Sequence, residues 1–152
     1  MEHGFNIIDL AQNNIIRLHE GLSIQQLNKV PTGFNNNLVW NFAHVVASLQ
    51  NICYVRAGLT PRLKESFIIN YKVGTKPEAF VTAEQYDSFK ELAIEGLSKL
   101  KEDYNNNHFK DFKPFTTVTG VAMNDIDFAI RYVGMHHGIH QGVSTALIKV
   151  VA

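Results

Sequence analysis

The chain has 152 residues, 45% of them hydrophobic and 18% charged, which suits one folded domain over the whole length and argues against disorder. Lys plus Arg and Asp plus Glu each number 14, so the formal net charge is zero, and the lack of any basic run removes the electrostatic basis for nucleic-acid binding. Cys53 is the single cysteine and cannot form an internal disulfide, which fits a reducing cytoplasm, and no apolar run approaches the roughly 20 residues of a membrane span.

The first segment opens "MEHGFNIIDLAQ", with acidic and polar residues where a signal peptide would be basic and then apolar. From Phe5 to Leu22, residues Ile8, Ile15, Leu18 and Leu22 recur at helical spacing and predict an amphipathic helix. Ser23 with Gln26 three residues on forms a capping-box pattern, and Pro31 and Gly33 stop the short helical piece that follows.

A second long helix is predicted from Leu38 to Ala57, with N-caps offered by Asn35 to Asn37 and a stop at Gly58 and Pro61. Leu59 to Val81 is irregular, with Pro61, Gly74 and Pro77, and a connection that long often covers a site. Thr82 and Gln85 open a third helix, in which Phe89, Leu92, Ile94, Leu97 and Leu100 recur mostly at three- and four-residue intervals up to the Asn run at 105–107. The stretch from His108 to Met123, aromatic and β-branched with Pro114 and Gly120, reads as loop with brief extended pieces. The last helix runs from Asp125 to Val150. Together these predict an all-α fold, a four-helix bundle with long connections.

The last helix carries "HHGIH". Residues four apart share one helix face, so His136 and His140 fall on the stripe that runs from Ala129 and Val133 to Leu147 and Val151. His137 points about 100° away, toward Ile130, Gly134 and Gln141. Imidazoles turned to a core need a partner at each nitrogen, and either hydrogen bonds or a metal can supply it. The catalytic Glu of HExxH is replaced here by His137, and no Glu-x-x-His pair supports a di-iron centre. A third ligand is offered by His44, on a stripe of Trp40, His44, Ala47, Ser48, Asn51 and Val55. The polar seam of His44, Ser48 and Asn51 suits either hydrogen bonds between helices or a ligand with its supporting partners. His19 can also face inward, whereas His3 and His108 fall in terminal or loop positions expected to face solvent. Cys53 reads as a small buried residue.

The stretches "NNNLVWNFAHVVAS", "GTKPEAFVTAEQ" and "HHGIHQGVSTAL" give the chain a resemblance to the DinB-like family. Trp40, His44, His136, His140 and Gly142 match its pattern, a Trp four residues before a His and a late His-x-x-x-His-x-Gly. Many members carry Gly-Gln shortly after the last His, where this chain has Gln141, Gly142 and Val143. The resemblance implies a divalent metal, nickel or zinc, on His44, His136 and His140, with positions open for a ligand. It also implies kinship with transferases that use a low-molecular-weight thiol such as bacillithiol and with a mycothiol-dependent isomerase. On that footing Ser48, Asn51 and His137 are expected to orient ligands beside Trp40, and a thiol and a small electrophile are the expected substrates. A stress-related protein that binds metal or a small ligand without catalysis is the alternative. Family members often form dimers, and the apolar Phe128, Ile130 and Ile148 off the inner stripe lead to the expectation of a two-fold homodimer.

Overall fold

The computed structural model describes residues 1–151. Its helices are α1 (Glu2–His19), α2 (Ile24–Asn28), α3 (Leu38–Gln50), α4 (Glu65–Tyr71), α5 (Ala83–Asn105) and α6 (Ile126–Val151). A π-helical turn, Asn51–Val55, continues α3, and a 3-10 turn, His108–Asp111, follows α5. Two-residue strands β1 (Phe115–Thr116) and β2 (Ala122–Met123) pair antiparallel, with Phe115 opposite Met123.

Local chemistry sets most boundaries. Ser23 and Thr82 form complete capping boxes with Gln26 and Gln85, which satisfies backbone N–H groups that a helix start otherwise leaves unpaired. The Asn37 side chain accepts from the Trp40 N–H at 2.7 Å and starts α3. Gly58, at φ 75, ends the helix after the π turn in a left-handed conformation that glycine adopts without a Cβ penalty.

The four long helices close a ring, in which α1 packs on α6, α6 on α3, α3 on α5 and α5 on α1. Two glycines allow the α1–α6 approach. A Cβ on Gly134 would stand 3.0 Å from the Ile7 Cγ2, and one on Gly4 would stand 3.1 Å from that of Ile130. The core falls into two apolar clusters. One holds Ile8, Leu49, Tyr54, Leu100, Ile130 and Val133; the other holds Ile15, Leu38, Phe42, Val46, Leu147 and Val151. Each fully buried side chain of this size contributes roughly 1.5–3 kcal/mol by leaving water. Between the clusters lies a polar layer of Gln12, Asn41, His44, Ser48, His137 and Ser144, all buried.

The fold is the helical one expected, with differences of detail. The first helix starts a turn earlier than Phe5 and ends at His19. The stretch from Leu59 to Val81 contains α4, which docks Ile68 into the core; an apolar ridge of one residue per turn is too short to show as periodicity. Ile130 is fully buried against Gly4 rather than turned outward, and Ile148 is half-buried against the second cluster. Among the described residues no helix is long and apolar enough to cross a membrane.

Candidate metal centre

His44 comes from the middle of α3, and His136 and His140 from successive turns of α6. The three rings meet at the polar layer. Their centroids are 5.2 Å (His44–His136), 4.7 Å (His44–His140) and 4.5 Å (His136–His140) apart. One nitrogen from each lies within 4.8 Å of the other two, close enough to share one ion.

The neighbours select which nitrogens remain free. The His44 Nδ1–H donates to the Tyr71 carbonyl at 2.7 Å. That carbonyl is at the C-terminus of α4, where helix carbonyls lack partners within the helix. Trp40, one turn earlier, stacks flat on the His44 ring at 4.8 Å and 9°. The His140 Nδ1–H donates to the Asn41 Oδ1 at 2.6 Å. Both rings are thereby fixed in the tautomer whose Nε2 carries the free lone pair. The Ser48 hydroxyl lies 3.2 Å from the His44 Nε2. The Nδ1 of His136 is buried with no protein partner. An unpaired buried polar atom is costly, so this donor set fits a cation that engages all three rings.

Burial reinforces the fit. Desolvation lowers the pKa of all three imidazoles. His136 falls to about 4, with His44 adding repulsion, and His140 to about 3, with His136 and His44 adding theirs. For His44 burial outweighs the opposing effect of the Tyr71 hydrogen bond. All three are neutral at pH 7, the form that binds metals.

The rings form one wall of a cavity of about 730 Å³, a size that suits a small molecule. Trp40, Ser48 and Asn51 line it beside the histidines, and the loop at 73–78 and the segment at 115–119 close its other sides. The Trp40 Nε1–H holds that loop by donating to the Thr75 Oγ1 at 3.1 Å.

A family model described as the DinB superfamily matches residues 7–144. The chain belongs to the DinB superfamily. Comparison with curated proteins finds no match.

Other histidines of this DinB chain stand elsewhere. His137 is fully buried on the α1 side, its Nε2 3.4 Å from the Gln12 Nε2, and it does not line the cavity. His19 does face inward, but toward Tyr86, whose hydroxyl is 2.6 Å from its Nδ1, and it is not part of the three-histidine cluster. His3 is exposed on α1. His108, expected in solvent, is half-buried in its 3-10 turn near Tyr54. Cys53 is buried, and burial pushes its thiol far above the ordinary range, so it is no nucleophile.

Three contributors to the site escaped the sequence reading. Asn41 and the Tyr71 carbonyl orient two of the rings, and Arg56 lines the cavity. Asn41 is three residues before His44 and has an obvious polarity, whereas a backbone carbonyl carries no sequence signal at all.

Proposed function

We propose that the three imidazoles hold one divalent ion, zinc or nickel, and that the protein transfers a low-molecular-weight thiol to a small electrophile in the cytoplasm. The observation that carries this reading is the convergence of three neutral imidazoles on the wall of an open, ligand-sized cavity. Three nitrogen donors suit either metal, and three protein ligands leave room for a fourth partner, the arrangement of reactive rather than closed structural sites.

A bound divalent cation supplies Lewis acidity, which favours thiolate over thiol at neutral pH. The protein's own groups do the rest. The Ser48 hydroxyl, beside the His44 Nε2, can orient an incoming polar group, and Asn51 adds an amide one turn further on. Trp40 provides an apolar wall that limits water. In the transfer the thiol proton passes to solvent, the sulfur lone pair forms a bond to the electrophilic carbon, and the leaving group departs with its electron pair. No protein nucleophile is required.

The test is a screen of small thiols against small electrophiles with metal-loaded wild type and His44→Ala. Rates lost in the variant support transfer. Equal rates across the screen remove it and favour a metal-binding protein without catalysis.

We also propose a two-fold homodimer. Its support is an exposed apolar strip of Ile7 and Leu10 on α1 with Phe128, Met135 and Ile139 on α6, each at least 42% accessible.

A further inference from the structure

Uninterrupted α-helical spacing from His44 through Ser48 and Asn51 reaches Val55 next. The structure departs from that spacing at the π turn. The Arg56 N–H bonds to the Asn51 carbonyl at 2.9 Å, five residues back rather than four. One residue is thereby added to the turn, a device that recurs at functional sites. The stripe steps from Val55 to Arg56. Both side chains are solvent-exposed, but only Arg56 also lines the cavity that holds the three histidines.

Arg56 is held in place. Its guanidinium lies over the Phe115 ring at 4.8 Å, and its Nη2 donates to the Thr116 carbonyl at 2.7 Å. Neither contact neutralises its charge, and none of the ion pairs among the described residues includes it. The other charged groups of the lining are Lys76 and Glu78 on the loop at 73–78, and neither is ion-paired with Arg56. Two cations against one carboxylate leave the wall net positive, and Arg56 adds a planar fork suited to a carboxylate.

We propose that Arg56 forms an anion-binding end of the cavity, and that the ligand is an elongated thiol with a carboxylate at the end remote from the histidines. This rests on the metal–thiol reading above. Twelve residues separate His44 from Arg56, at most about 18 Å of helix axis because the π turn rises less per residue than an α-helix. The Arg side chain leans back over the preceding turn, so the ligand spans about one turn less, roughly 12 Å.

The experiment uses the cobalt(II)-loaded protein and three probes, 8-mercaptooctanoate, 8-mercaptooctanol and the short 3-mercaptopropionate. Titration calorimetry reads binding, and the cobalt–thiolate absorption band reads contact with the metal. The expected result is that the long acid binds about tenfold tighter than the alcohol, consistent with one charge-assisted bidentate contact. That preference should vanish in Arg56→Gln and survive in part in Arg56→Lys. The short acid, unable to span the cavity, should bind the wild type and Arg56→Gln alike. Equal affinity for the long acid and the alcohol, or an acid preference that persists in Arg56→Gln, overturns the proposal. Heat with the expected Arg56 dependence but no thiolate band keeps the anion subsite and removes the thiol reading. Absence of heat with every probe overturns both. Retention of the cobalt d–d spectrum shows that each variant keeps its fold; if Arg56→Gln loses it, the acid-to-alcohol ratio in Arg56→Lys decides, and a ratio unchanged from wild type counts against the proposal.

Discussion

Asn41 and His140 are joined twice across α3 and α6: the Asn41 Oδ1 accepts from the His140 Nδ1–H at 2.6 Å, and the Asn41 Nδ2 donates to the His140 carbonyl at 2.9 Å. The same amide nitrogen lies 2.8 Å from the Ser144 Oγ. Asn41 is 1% exposed, so no water can take its place. The side chain thus fixes ring orientation, tautomer and the separation of the two helices together.

Replacement of Asn41 by Leu keeps the volume and removes the acceptor. Metal affinity should fall by about 10–100-fold, the usual effect of removing a group that orients a ligand. Asn41→Asp retains the acceptor and should bind more tightly than Asn41→Leu. Competition against a chelating dye measures both, and wild-type affinity in Asn41→Leu would show that the contact does not prepare the site.

Acid should destabilise the metal-free protein from a higher pH than its carboxylates alone would dictate. Burial, with some repulsion from Lys90, lowers His19 to about 4 in the folded state, against an ordinary value of 6.5. The unfolded chain therefore takes up this proton as pH falls below 6.5 while the folded chain refuses it until about 4. His19 stabilises the fold fully above 6.5, and that contribution drains away between 6.5 and 4, at about 1.4 kcal/mol per pH unit. His136 and His140 shift in the same direction and add to the slope. Melting temperatures from pH 7 to 5 should decline in the wild type and less steeply in His19→Gln. Parallel slopes would refute the assignment.

The sequence carried the long helices because each buries a stripe several turns long, and it carried the capping boxes because their chemistry is local. His44, His136 and His140 were legible as residues on inward faces. Their meeting depends on how α3 and α6 cross, which helical spacing does not specify. Arg56 was hidden by the π turn, since a one-residue insertion shifts every later position off the α-helical stripe. The α4 helix was hidden by its length, and Tyr71 acts through its backbone, whose chemistry is the same for any side chain.

A polar clamp lies outside the candidate site. Asp103, 6% exposed, takes the Arg62 Nε–H and Nη2–H at 2.6 Å each and the Tyr54 hydroxyl at 2.8 Å. Burial pushes its carboxyl up, but these hydrogen bonds outweigh burial and hold it below the usual range. Asp103→Ala should cost about 2 kcal/mol, less than for a fully buried pair because the Arg62 side chain is 35% accessible. Urea melts check the loss, and metal affinity should be unchanged. A melt equal to wild type would show that the clamp contributes nothing.

The proposed dimer should give a twofold mass by light scattering at micromolar concentration. Ile139 is 55% exposed on the outer face of α6, and Ile139→Glu should give a monomer that still binds metal. A wild-type monomer at that concentration would refute the dimer, and an unchanged dimer in the variant would remove Ile139 from its interface.

The central claim is that His44, His136 and His140 hold one ion. Protein without a histidine tag, titrated with zinc and with nickel at pH 7.5 and analysed for metal after desalting, tests it most directly. One ion per chain is expected in the wild type and in His3→Ala, with near-complete loss in His44→Ala, His136→Ala and His140→Ala, each folded by circular dichroism. Metal content in these three variants equal to that of the wild type, or no retained metal in the wild type, would contradict it.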